Sequence, residues 1–351
     1  MNSNAASTRP RQSLLSTLLL SVTVLTCLAV GVAAHFTPVF ANHVSRELDR
    51  QRAVNGMYFY NGGYLDDGDY VLLDQLPDAD YSRGGVYFIG ASETKISIRP
   101  WELTAEERAL IHNYSLGDLR HSDVLHFVRS LVEDDGLLAA GPDKTTIVLG
   151  LSYQMARTRD FAYAPHRYVP ELFQRHGMYR YDVADGIQRK PMSALEIFLR
   201  KERVRAGRYL QILFSPPDKV RNLHDTPQDM REYLVNQMGP DWRPEMERQV
   251  GYVADVIDYL QARGANVCVI FPPEGSWHDS LPFDESYRTL LAETFRTRNV
   301  RVYDLKDLLP DNDFGDAVHA RYSGEMQLHK AYHHIALKAL ADMGVMSKSL
   351  D

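Results

Sequence analysis

Cysteine is scarce in this chain: 351 residues carry two. Cys27 lies in an apolar N-terminal run and Cys268 in a β-branched segment, so neither a disulfide framework nor a Cys-x-x-Cys site exists. A basic excess is missing as well. The formal net charge is −7, whereas nucleic-acid binders need clustered cations against phosphate, so a nucleic-acid partner is not expected. Neither a P-loop nor a Gly-x-Gly-x-x-Gly turn is present to cradle a nucleotide phosphate. Disorder on a large scale is excluded by the ordinary balance of 44% hydrophobic and 24% charged residues. The length suffices for one large α/β domain or two small ones.

Charge of either sign is absent between Arg11 and Arg46. Inside that gap, Ser13 to Ala34 is apolar and about the ~20 residues that cross a bilayer as a helix. Arg9 and Arg11 precede it with no acidic neighbour, which keeps the N-terminus cytoplasmic and exports the rest. The expected order is a cytoplasmic segment 1–12, a transmembrane anchor or uncleaved signal 13–35, a stem 36–80, and a catalytic domain 81–351 outside the cytoplasmic membrane. Cleavage after the small residues Val32 and Ala34 is the alternative, against which the length of the apolar run counts. A lipoprotein reading through Cys27 is weaker, because Thr26 is a poor residue before such a site.

Strand and helix signals alternate beyond the stem. Gly85–Gly90 reads as a strand. Thr104 and Glu107 have capping-box spacing, a short strand is expected near Leu110–Tyr114, and Ser122-Asp123 caps an apolar-periodic segment through Val132. Residues 145–151 form a buried strand. Met246, Val250, Val253, Ile257 and Leu260 hold one helical face, with Gly264 as the stop. A strand at 265–271, a helix near 285–296, a strand at 300–303 and a last helix from about 324 to 343 complete the series. Such alternation predicts a three-layer α/β/α fold around a parallel sheet, with its site at the carboxyl ends of the strands. Residues 155–235 break the order and are expected to be a helical insertion, a cap over that site.

Two short constellations carry chemistry. Gly90-Ala91-Ser92-Glu93 follows a strand, where a sharp turn exposes a serine hydroxyl; such a serine needs a base within reach. Asp316-Ala317-Val318-His319 precedes the last helix, and a carboxylate there orients the imidazole that takes the serine proton. Either alone is a common polar turn. Together, at the two ends of a doubly wound sheet, they can meet on one edge.

This pairing resembles the SGNH-hydrolase superfamily, which has a flavodoxin-like sheet, a nucleophile serine after the first strand and a late Asp-x-x-His. The resemblance implies Ser92, Asp316 and His319 as the triad. It implies an oxyanion hole from the Ser92 and Gly117 backbone amides, Gly117 closing Asn113-Tyr114-Ser115-Leu116-Gly117. The superfamily's Gly-x-Asn block is replaced by Gly150-Leu151-Ser152-Tyr153-Gln154, so Ser152 stands where the asparagine amide would be, and either its hydroxyl replaces that amide in the oxyanion hole or the hole is assembled differently. Gly-x-Ser-x-Gln, Ser-Glu after the nucleophile turn, an N-terminal anchor, an Arg- and Tyr-rich insertion and Phe271-Pro272-Pro273-Glu274 are similar to the DltD-like subgroup. That subgroup implies acyl transfer, of acetyl or D-alanyl, onto a cell-envelope polysaccharide or polymer, beside a membrane-bound O-acyltransferase and without metal or organic cofactor. A carbohydrate esterase and a non-catalytic accessory protein are the alternatives.

Other clusters receive plainer readings. His329 and His333, with Glu325 a turn earlier, have metal-ligand spacing but not zincin order, and a solvated helix face is expected. Tyr163, His166, Tyr168, Tyr179 and Tyr181 either line a sugar groove or pack the insertion. Arg200, Lys201, Arg203, Arg205 and Arg208 are read as a charged helix face, with anionic lipid or polymer as the alternative partner.

Overall fold

A computed structural model describes residues 9–35, 37, 75–76, 79–117, 119–157, 179–182, 186–203, 226–279 and 281–346. Helix α1 (Arg9–His35) contains a span, Ser16–Ala34, of mean hydropathy 2.2 with none of it buried. At 1.5 Å per residue, 19 residues rise about 28 Å, close to the hydrocarbon thickness of a bilayer. This helix is long and apolar enough to be a membrane anchor or a signal sequence. The stem lies almost wholly outside the described residues.

The domain is built on five parallel strands: β1 (Gly85–Gly90), β2 (Ile111–Asn113), β3 (Thr145–Gly150), and, after the hairpin strands β4 (Tyr179–Asp182) and β5 (Gly186–Arg189), β6 (Asn266–Phe271) and β7 (Arg301–Asp304). Their order is β2-β1-β3-β6-β7, and every pair in it is parallel. This is the flavodoxin-like arrangement expected from the alternating pattern, and it reverses direction at β1. β1 and β3 are buried at every position, as strands covered on both faces must be. Phe88 packs on Tyr332 of the last helix, α8 (Tyr322–Asp342), on one face. Phe271 packs on Tyr287 and Phe295 of α7 (Pro282–Arg298) on the other. On α7's face α6 (Trp242–Gln261) lies beside α4 (His121–Glu133).

Local signals explain most boundaries. Gly264, at φ 79°, ends the turn after α6, and Asn299, at φ 52°, caps α7 in the left-handed conformation. The expected cap of α4 at Ser122-Asp123 lies slightly earlier. Arg120 is the cap, and the Asp123 carboxylate accepts its backbone N–H at 3.0 Å. The segment 155–235 was expected to be helical. Its described part holds helices at 194–203 and α5 (Pro227–Met238), but also the antiparallel β4–β5 hairpin. The alternation Tyr179-Arg180-Tyr181 before Gly186 is the strand signal that helix-oriented reading passes over.

Candidate active site

The turn that carries Ser92 is made by packing. Ser92–Lys95 forms a single helical turn, α2, directly after β1. Its Thr94 side chain wedges between the ends of β1 and β3. A Cβ on Gly150 would stand 1.8 Å from Thr94 Oγ1, and one on Gly90 would stand 2.6 Å from the same atom. Glycine at both strand ends is what lets the chain turn so sharply. Asn113, at the end of β2, fastens the turn from below. Its buried amide donates to the Thr94 and Lys95 carbonyls at 3.0 and 3.1 Å, groups that a helix end leaves without intrahelical partners.

The second arm is the loop between β7 and α8. Asp316 Oδ2 lies 2.9 Å from His319 Nδ1, and Oδ1 accepts the backbone N–H groups of Val318 and His319, both at 2.8 Å. With Nδ1 facing the carboxylate, the imidazole carries its proton there and presents Nε2 as the basic nitrogen. The Ala317 carbonyl between them receives Trp277 Nε1–H at 2.8 Å and His278 Nε2 at 2.9 Å. His278 in turn takes the Tyr153 hydroxyl on Nδ1 at 3.0 Å. Burial holds the His278 pKa below its ordinary value, so it stays a neutral relay in this network.

Ser92 and His319 meet in one cleft of about 200 Å³, lined also by Glu93, Leu119, Gln154, Arg157, Tyr233 and Gln237. The sequence-derived triad is therefore brought to one edge, at the carboxyl ends of the strands. The Ser92 hydroxyl, however, donates to Glu93 Oε2 at 3.2 Å. Glu93 is buried and accepts the Ser152 hydroxyl on its other oxygen at 2.8 Å. Ser152 was expected to aim its hydroxyl at an oxyanion; its proton is instead committed to Glu93, because a buried carboxylate must be satisfied. Gly117 comes directly after Leu116, whose N–H donates to the Gly90 carbonyl at 3.1 Å. That places Gly117 beside the Ser92 turn, although the residue that lines the cleft is Leu119.

Sequence reasoning gave no role to Glu93, Gln154, Tyr233 or Gln237. The first two were quoted only as parts of motifs. Tyr233 and Gln237 sit one turn apart on α5, at and just past the end of the segment read as a cap; Gln237 donates to the Tyr233 hydroxyl and accepts from Arg157. Only their i, i+4 spacing could have flagged them.

His329 and His333 do not face solvent as expected. His329 is buried and accepts the Arg99 backbone N–H at 3.2 Å, and His333 meets Glu107 at 2.9 Å. Burial and the neighbouring imidazole lower the His329 pKa to about 4. Among the described residues no cluster of three or more His, Cys, Asp or Glu could hold a metal ion. Of the tyrosine and histidine set, Tyr163, His166 and Tyr168 lie outside the described residues, and Tyr179 is buried in the core. Arg205 and Arg208 also lie outside them.

No protein-family model and no curated protein matches the chain. Among solved structures it is similar to a protein assigned as an acylhydrolase from Bacteroides fragilis. That likeness has 12% identity and a TM-score of 0.39, covering 76% of this chain and 92% of the other. It is also similar to LAE5, an alpha/beta hydrolase enzyme from the metagenome of Lake Arreo, Spain. Here identity is 10% and the TM-score 0.32, over 76% of this chain and 97% of that one. At these values neither likeness bears on the fold or the chemistry of this chain.

Proposed function

We propose that the protein is a membrane-anchored serine acyltransferase of the SGNH type. It works outside the cytoplasm and moves an acetyl or D-alanyl group onto a cell-envelope polysaccharide or polymer. The observation that carries this reading is the shared cleft of Ser92 and His319, with His319 Nδ1 held by Asp316 at 2.9 Å. Its chemistry follows from that arrangement. Ser92 rotates from Glu93 to His319, Nε2 takes the hydroxyl proton, and the serine oxygen attacks the carbonyl of the acyl donor. The Ser92 and Gly117 backbone amides receive the oxyanion. His319 returns the proton to the leaving group, which departs and leaves acyl-Ser92. An acceptor hydroxyl then gives its proton to His319 and attacks the acyl carbonyl; the bond to Ser92 breaks, and the Ser92 oxygen recovers the proton from His319. The apolar N-terminal span and the Gly-x-Ser-x-Gln and Ser-Glu motifs, similar to the DltD-like subgroup, support a transferase beside a membrane-bound O-acyltransferase. Water as acceptor would make the same site a carbohydrate esterase.

A non-catalytic role is the second reading. What favours it is the Ser92 hydroxyl bonded to Glu93 and not to a base. Reaction of the full-length protein with a fluorophosphonate separates the two. Labelling is expected in the wild type and lost in Ser92→Ala and His319→Ala, with kcat on an activated ester down by on the order of 10⁵-fold or more. An unlabelled, folded wild type would leave the accessory role.

A further inference from the structure

An oxyanion hole needs preorganised donors aimed at the developing charge. The side chains around Ser92 offer few. Ser152 gives its proton to Glu93. The Gln237 amide donates to the Tyr233 hydroxyl and accepts from Arg157 Nη1, so both its ends are engaged. Gln154 differs. It lines the same cleft as Ser92 and His319, and its Nε2 is buried without a hydrogen bond. The neighbouring Tyr153 hydroxyl interacts with it, yet the amide does not reach hydrogen-bonding geometry there. That hydroxyl has already given its proton to His278.

The backbone that carries the amide is held in place. It belongs to a short 3-10 turn, Tyr153–Ala156, that leaves the end of β3 next to β1. The Met155 N–H donates to the Ser152 carbonyl at 3.1 Å, and the Arg157 N–H to the Gln154 carbonyl at 3.3 Å. Tyr153 is fully buried, its ring 4.9 Å from Phe283, so the turn is anchored in the core. A buried donor left unpaired is costly in a folded protein, and native structures keep few of them. Beside a serine nucleophile, such a group is satisfied when negative charge arrives.

We propose that Gln154 is a catalytic residue: Nε2–H donates to the oxyanion formed when Ser92 attacks an acyl carbonyl. This rests on the acyl-Ser92 reading above. The donor set is then the Ser92 backbone amide, the Gly117 amide and one side-chain amide from the end of β3.

The test uses the full-length protein in nanodiscs, with 4-nitrophenyl acetate as substrate and a fluorophosphonate as tetrahedral probe. Gln154→Ala and Gln154→Glu are compared with wild type; the glutamate keeps the shape and, ionised, has no proton to donate. Both variants are expected to lose on the order of 10²–10³-fold in kcat and in labelling rate. KM should stay within about threefold, because the bond forms in the transition state and not with the bound ester. Gln154→Glu should partly recover relative to Gln154→Ala as pH falls and the carboxyl regains a proton. Wild-type rates in folded Gln154→Glu would overturn the proposal and leave the triad standing. A loss confined to KM would overturn it too, making Gln154 a substrate contact. An inert wild type would remove the acyl-enzyme reading itself, and this inference with it. Should Gln154→Ala unfold, the shape-preserving glutamate decides.

Discussion

The two arms of the cleft are held in opposite ways. The Asp316–His319 arm is braced on every side: the carboxylate takes two backbone N–H groups and the imidazole, and the Ala317 carbonyl takes an indole and a second imidazole. The Ser92 arm has a rigid seat, cut to shape by Gly90, Gly150 and Asn113, but its reactive hydroxyl is turned toward Glu93. One arm holds its imidazole in a fixed orientation, and the other has its hydroxyl bonded to Glu93. On the proposed mechanism, the step a substrate must trigger is rotation of the Ser92 hydroxyl away from Glu93, not assembly of the base. The cost is small on that account, since a serine changes rotamer without moving the backbone.

Breaking the braced arm should do the most damage. Asp316→Asn keeps the volume but replaces the carboxylate that holds Nδ1–H, so the imidazole is free to adopt the wrong tautomer. A fall in kcat on the order of 10⁴-fold is expected, with the fold intact. Steady-state rates on an activated ester check this. A drop of less than tenfold would mean that His319 does not depend on Asp316 for its orientation.

Glu93→Gln probes the resting arm. The amide oxygen can still accept the Ser152 hydroxyl, while the amide nitrogen donates to Ser92 and leaves the serine proton for His319. Acylation within about tenfold of wild type, or faster, is the expected result. If Glu93 were itself the base, the loss would exceed on the order of a hundredfold. Glu93→Ala is a different perturbation, for it strands the Ser152 hydroxyl and should destabilise by about 1–3 kcal/mol.

The seat of the nucleophile can be disturbed without touching a reactive group. Gly150→Ala puts a methyl into the space of Thr94, and relief requires a shift of the whole Ser92 turn. A stability loss of about 1–3 kcal/mol is expected from overpacking, together with lower activity. Thermal melts and ester hydrolysis measure both. Restoration of the melt by Thr94→Ala in the Gly150→Ala background would tie the effect to the Thr94 side chain. Unchanged stability in Gly150→Ala would show that the turn yields more easily than the packing implies.

How much of this was open to sequence reading follows the same division. The strand at Gly85–Gly90, the helical face from Met246 to Leu260 and the stop at Gly264 were legible, because burial on both faces and a 3.6-residue period leave local marks. Ser92, Asp316 and His319 stood out as candidates because each sits in a motif set against a strand or helix end, and the structure brings Ser92 and His319 to one cleft. The Glu93 bond was not legible: its second partner, Ser152, lies 59 residues away, and no local pattern encodes a contact across two strand ends. The cleft wall formed by Tyr233 and Gln237 was hidden for a related reason. It comes from α5, far from Ser92 in the chain, whose place beside Ser92 is set by tertiary packing and leaves no local mark.

The smallest effect concerns the footing of the braced arm. Glu274 follows β6, beside Gly275, which leaves room for the Trp277 ring that holds the Ala317 carbonyl. Burial, then the charge of Asp284, push the Glu274 pKa up to about 7, against the pull of Arg288 at 2.9 Å and Lys306. In the unfolded chain its pKa returns to about 4.3. Between those values the folded protein holds a proton that the unfolded chain has released, so this group's contribution to stability falls as pH rises. Below the window both states are protonated and the effect vanishes. Glu274→Gln removes the dependence. The variant should match wild type near pH 4.5 and melt a few degrees higher at pH 7.5, the gap opening between. Half-buried His112 and buried His121, with pKa values pushed down by desolvation to about 4 and about 3, destabilise both proteins equally in acid and cancel in the difference. A variant that melts lower than wild type at pH 7.5 would reverse the sign, and Glu274 would then be an ionised partner of Arg288 whose ion pair outweighs its burial.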